Sequence, residues 1–147
     1  MLFRSLPERR VTEQHLVGTG HRPFAAWQLL GTGSVGSQSL TAIPVLHHVR
    51  THPALADHCA VWPFETGHVL PTSPDIVITE VWPSALEPEA IDAEPYDVKD
   101  ARQVVAMARR IWRVQRSGAL GDWFTLRAPI DRADDVLREE GWVLGVR

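Results

Sequence analysis

Ile76-Val77-Ile78-Thr79-Glu80-Val81-Trp82 is the stretch on which the fold reading turns. Five of its seven residues are β-branched, and Pro74-Asp75 and Pro83 bracket it. Branched side chains suit a pleated surface, and proline cannot donate to a sheet ladder, so the run predicts a strand with hard stops at both ends. Glu80 is its only charge. A carboxylate there either faces solvent at an edge or is held at the carboxyl end of the strand for a purpose. Val61-Trp62-Pro63-Phe64 is a second, weaker strand candidate.

Downstream, residues 98–117 predict the clearest helix. Asp97 is the expected cap, Asp100 stands three residues on, and Gly118 can end the run. Ala101, Val104, Val105, Ala108, Ile111 and Trp112 recur at helical spacing and predict the core-facing stripe. Arg102, Arg109, Arg113 and Arg116 fall within about 60° of one another at 100° per residue. No acid lies between Ala101 and Gly121 to neutralise them. A short helix over Arg132–Glu140 leads into Gly141-Trp142-Val143-Leu144-Gly145-Val146. Upstream, Leu40, Ile43 and Leu46 predict a helix over Ser37–Arg50, with Pro44 kinking or breaking it near residue 43. Thr12 is a possible cap for a short helix before it, and Phe24–Leu30 reads as a buried strand or a helical turn. Strands alternating with helices make the chain α/β.

The 147 residues (16.4 kDa) carry a net charge of −3, with 44% hydrophobic and 22% charged residues. That is a single globular domain over 1–147, neither disordered nor wholly basic. No apolar run reaches membrane-spanning length, and Met1–Pro7 does not resemble a secretory signal. A lone cysteine, Cys59, forms no internal disulfide and is expected to pack as a small buried residue. The expected location is the cytoplasm. Charge is uneven: residues 1–60 carry +2, residues 61–100 carry −8 and residues 101–147 carry +3. The acidic middle reads as a solvated loop over Glu87–Pro95 or as a cation site. Fourteen of the fifteen basic residues are arginine, which fits either a coding bias or phosphate binding.

Several constellations could carry chemistry. Gly31-x-Gly33-x-x-Gly36 matches a dinucleotide fingerprint, but its preceding strand is doubtful and no acid follows at the right distance, so a tight turn into a helix competes with it. His48 and His52 are four apart without an HExxH context, and surface or capping roles suit the histidines. The carboxylates are more informative. Glu80 at a strand end and Asp100 in the first turn of the arginine-rich helix can converge on a divalent cation, with Glu65 a third candidate. Mg²⁺ or Mn²⁺ so held supports in-line phosphodiester hydrolysis. Against this, Asp100 can simply complete a helix cap and Glu80 can pair with an arginine. Arg102, Arg109 and Arg113 read either as a solvated face or as contacts to a nucleic-acid backbone.

Segments 31–44, Val61-Trp-Pro-Phe-Glu-Thr-Gly67, Ile78-Thr-Glu-Val-Trp-Pro-Ser84, Val98-Lys-Asp-Ala-Arg-Gln-Val104 and Glu140-Gly-Trp-Val-Leu-Gly-Val146 resemble, in order, the carboxy-terminal part of a bacterial family of predicted RNase H-like nucleases. Members of that family often carry labels as molybdopterin-guanine dinucleotide or cobalamin biosynthesis proteins. The resemblance implies a three-layer RNase H-like α/β fold lacking its opening β-meander. It implies Glu80 and Asp100 as catalytic metal ligands without the usual first aspartate. The chain is therefore expected to be the latter part of the fold, forming a homodimer or joining a complementing amino-terminal chain. Three functions follow: a Mg²⁺-dependent nuclease acting on nucleic acid, a non-enzymatic interaction module, or a nucleotide-binding cofactor-biosynthesis protein using the Gly31–Gly36 loop.

Overall fold

The computed structural model describes residues 7–31, 33–73, 75–86, 88–126 and 132–146; Thr32, Pro74 and Glu87 lie outside the described residues. Helix α1 covers Val11–Gly18 and α2 covers Val35–Thr51. Strand β1 is Cys59–Val61 and β2 is Ile76–Ile78. Three helices follow, α3 (Pro88–Asp92), α4 (Lys99–Arg116) and α5 (Leu120–Trp123). Finally α6 (Ala133–Asp135) runs on into a π-helical turn, Val136–Glu140. The chain is thus mixed α/β, helix-rich around a small sheet.

β1 and β2 pair in parallel, Cys59 opposite Ile76 and Val61 opposite Ile78. Two residues beyond β2, Glu80 forms a parallel bridge with Val143, and its carbonyl accepts the Leu144 N–H at 2.9 Å. The line from Ile76 to Glu80 therefore pairs first with β1 and then with the 143–144 segment. The expected strand over 76–82 is present only in its first half, because Pro83 starts a 3₁₀ turn (Pro83–Ala85). The expected strand over 61–64 ends where it should begin. Trp62–Pro63 is a cis peptide and the chain turns there, so the paired residues are Cys59–Val61. Cys59 is buried in β1 with a free thiol.

The core gathers Val11 and Leu16 of α1 with Trp62, Phe124, Val136, Trp142, Val143, Leu144 and Val146. Aromatic and branched aliphatic side chains dominate it, each contributing roughly 1.5–3 kcal/mol when fully buried. The start of α1 is fixed by acids rather than by Thr12. The Arg10 N–H donates to Glu13 Oε2 at 3.1 Å and the Val11 N–H to Glu140 Oε2 at 2.6 Å. Thr12 lies inside the helix, where its hydroxyl accepts the Val143 N–H at 3.4 Å. A hydroxyl completely removed from solvent does more by holding the Val143 backbone than by capping.

Two helices differ from their reading in register or orientation. Pro44 sits inside α2 without breaking it. The missing N–H leaves only the Leu40 carbonyl without its helical donor, and Leu40 is open to water. In α4 the cap position belongs to Val98 rather than Asp97, with no side-chain cap bond. The buried residues of α4 are Ala106, Met107 and Val114. The expected core stripe is covered only in part: Ala101, Val105 and Ile111 are half-buried, Ile111 against the main core cluster, whereas Val104, Ala108 and Trp112 are exposed. Periodicity identifies residues that share a face, but only the neighbours of the helix decide which face they cover.

The third glycine of the 31–36 loop explains the entry into α2. A Cβ on Gly36 would meet the Ala26 carbonyl oxygen at 2.6 Å and that of Gln28 at 2.8 Å. Its N–H already donates to the Gln28 oxygen at 3.0 Å. Gly36→Ala is therefore expected to cost about 1–3 kcal/mol, read as a lowered urea midpoint at unchanged slope.

Candidate functional site

Arg10, at the start of α1, organises the site. Its guanidinium binds both Glu80 oxygens, Nη1 to Oε2 and Nη2 to Oε1, each at 2.8 Å. Nε donates to Glu13 Oε1 at 2.8 Å, and Nη1 also donates to the Glu140 carbonyl at 3.0 Å. Glu13 is only 2% exposed and takes a further bond from the Ala26 N–H at 3.0 Å. One side chain thereby ties α1 to the end of β2, to the loop entering α2 and to the chain beyond α6. Burial lowers the Arg10 pKa, and the hydrogen bonds and charges of Glu80 and Glu13 outweigh it, leaving the pKa raised.

Glu80 and Asp100 line one cleft of about 640 Å³, together with Arg10, Arg22 and Lys99. The first turn of α4 and the end of β2 thus border the same cleft. Glu65 stands elsewhere. Arg50 of α2 grips it with Nε at 3.0 Å from Oε2 and Nη2 at 2.7 Å from Oε1. Its Oε2 accepts the Val61 N–H at 2.6 Å, while its own N–H donates to the Val61 carbonyl at 2.9 Å. Glu65 therefore occupies the outward-facing backbone groups at the end of β1 and clips α2 to the sheet. Among the described residues, no three His, Cys, Asp or Glu side chains gather as a metal-binding group.

As arranged, this donor set does not fit a Mg²⁺ ion. Both Glu80 oxygens already face a guanidinium, so an ion there would stand against a fixed positive charge. Asp100 is exposed and offers the cleft a second carboxylate. The arginine row of α4 is partly committed: Arg102 lies 3.5 Å from Asp92 and Arg109 lies 3.1 Å from the buried Glu94. Arg113 remains exposed on the open side of the helix. His48 and His52 meet edge to face at 5.9 Å, and the His52 Nδ1 accepts the Ala54 N–H at 3.2 Å. In the glycine loop, the Gly36 N–H that could meet a phosphate is spent on Gln28. Arg10 is the residue that sequence reasoning missed, because its acidic partner at position 80 is remote along the chain.

The Glu65 clip makes stability depend on acid. The Arg50 hydrogen bonds lower the Glu65 pKa from its ordinary 4.5; desolvation opposes this, and the Val61 N–H and the Arg50 charge assist. A depressed folded-state pKa contributes stability that is complete above the unfolded value and is lost as pH falls through the folded one. The urea midpoint is expected to fall below about pH 4.5, and Glu65→Gln to flatten that fall. Parallel pH profiles for the two proteins would exclude the clip as its source.

No family model, curated protein or solved structure matches this chain. No helix among the described residues is long and apolar enough to cross a membrane.

Proposed function

We propose that this chain is a non-enzymatic interaction module, assembled from two copies that meet through α2. The observation that carries the reading is the condition of that helix. Leu40, Ile43 and Leu46, three residues apart on one side of the helix, are 65%, 60% and 43% exposed, and Val45, on another side, is 62% exposed. Of seventeen residues in α2, only Gly36 is buried. Contiguous apolar surface of this kind on a soluble domain marks a site of association. From Val35 to Val49 the helix carries no lysine, arginine or acid. Two copies can therefore pack it against itself without opposing like charges, as a twofold interface requires. Light scattering after size exclusion is expected to give twice the 16.4 kDa of one chain, and Leu40→Arg with Ile43→Arg to return a monomer. A monomeric mass for the unaltered protein at high concentration overturns the reading.

A second reading is metal-dependent phosphodiester hydrolysis on an RNase H-like fold. It is favoured by Glu80 and Asp100 sharing one cleft at the carboxyl end of a parallel strand. It requires Arg10 to leave Glu80. Cleavage of single- or double-stranded nucleic acid with Mg²⁺ or Mn²⁺, abolished by Glu80→Gln, supports it. Absence of cleavage with both ions ends it for this chain.

A further inference from the structure

Helix α4 has two apolar sides, and only one is covered. Ala106, Met107 and Val114 face the core. Val104, Ala108 and Trp112, at successive turns, face solvent, with Val104 65% and Trp112 55% exposed. At 1.5 Å per residue this stripe is about 12 Å long. Arg109, Arg113 and Arg116 border it on one flank, all three exposed and within about 60° of one another. The Arg116 Cζ lies 5.1 Å from the centre of the Trp112 ring, at the edge of the stripe. Arg109 is balanced by Glu94; Arg113 and Arg116 have no acidic partner among the described residues.

The molecule already contains one solution to such a surface. Helix α3 packs on α4 by burying a single aliphatic residue, Ile91. The acids around it, Asp92 and Glu94, pair with Arg102 and Arg109 of α4. A short acidic element with an apolar anchor is therefore what α4 accepts within its own chain.

From this pattern we infer that the Val104–Ala108–Trp112 stripe docks an acidic amphipathic helix of a partner protein. Apolar anchors one turn apart on the partner meet residues one turn apart on α4, and carboxylates beside them meet Arg113 and Arg116. Trp112 is the expected anchor of the interface, since a tryptophan flanked by arginine is the composition that dominates binding energy. Single-stranded nucleic acid is the less suitable occupant. Bases stack on aromatic rings, and of the three exposed stripe residues only Trp112 offers one. The inference names a partner chemistry for a second open face, on a different helix, and goes beyond assembly through α2.

The test is fluorescence anisotropy with three labelled probes on the full chain. They are a synthetic three-heptad helix with leucines on one face bordered by glutamates, the same peptide with lysines for glutamates, and an oligothymidylate. The glutamate peptide is expected to bind, and the lysine peptide to bind at least about tenfold more weakly. Trp112→Ala is expected to weaken the glutamate peptide by about tenfold or more. Val104→Glu serves as a second variant, at a position whose exposure leaves the fold intact. Arg113→Glu with Arg116→Glu is expected to reverse the peptide preference. Equal binding of both peptides, no binding of the glutamate peptide, or indifference to both Trp112→Ala and Val104→Glu overturns the proposal. So does oligothymidylate binding tighter than peptide binding. Light scattering on the same samples separates the two readings: a monomer that binds the glutamate peptide refutes assembly through α2 and leaves this inference standing.

Discussion

Trp142→Ala is expected to lower stability by about 3–5 kcal/mol, the range for deleting a fully buried tryptophan. The ring is 1% exposed and sits within the main core cluster beside Val143 and Leu144. His15 of α1 tilts against it at 5.6 Å between ring centres. Its Nε1 donates to the Val146 carbonyl at 3.1 Å, closing the last turn of the described chain. In a domain of this size such a loss moves the thermal midpoint by roughly 6–20 °C. A contrast makes the assignment specific. Trp62 is buried as deeply, yet its Nε1 has no hydrogen-bond partner among the described residues. Trp142→Phe leaves the Val146 carbonyl unpaired, at about 1–3 kcal/mol, whereas Trp62→Phe removes an unpaired polar group and is expected to cost less. Calorimetry on the two phenylalanine variants decides it, and a larger loss at Trp62 contradicts the hydrogen bonding described.

The two tryptophans also illustrate what the chain discloses when read in order. Elements set by local signals are legible: the β-branched run at 76–78, and the helix at 99–116 with glycine after it. Their contents are less so. Val104, Ala108 and Trp112 share a face as periodicity requires, but whether that face is covered depends on α3, α5 and the Pro83–Ala85 turn, which occupy the other side of α4. The site divides in the same way. Glu80 stands out because a charge interrupts an apolar strand, and it lines the same cleft as Asp100. Glu65 has no such local mark, and its work on the β1 edge and on Arg50 depends on a turn begun by a cis peptide. Arg10 is one arginine among fourteen, and nothing near it in sequence identifies a partner seventy residues away. Long-range ion pairs leave no periodic trace.

Arg10→Met is the substitution that reaches furthest. The methionine fills part of the same volume while removing every donor, so Glu13 is left buried without its guanidinium. Breaking one side of a buried pair costs about 3–5 kcal/mol, because the remaining charge stays desolvated. The retained bonds from the Arg10 and Ala26 backbone N–H groups to Glu13 place this case at the lower end, about 3 kcal/mol. Glu80→Gln is expected to cost less, about 1 kcal/mol, since Glu80 is more open to solvent and Arg10 keeps Glu13 and the Glu140 carbonyl. The double variant should therefore lose less than the two single losses together, the mark of a direct interaction. Additive losses would mean that the bidentate pair contributes nothing. The same variant bears on the cleft. With Arg10 gone, the Glu80 carboxylate loses the guanidinium on its oxygens, in a cleft that Asp100 also lines. Titration calorimetry is expected to find Mg²⁺ or Mn²⁺ binding in Arg10→Met that the unaltered chain lacks, and Asp100→Asn in the same background to remove it. A response to neither ion in either protein leaves Glu80 as a purely structural counter-charge to Arg10.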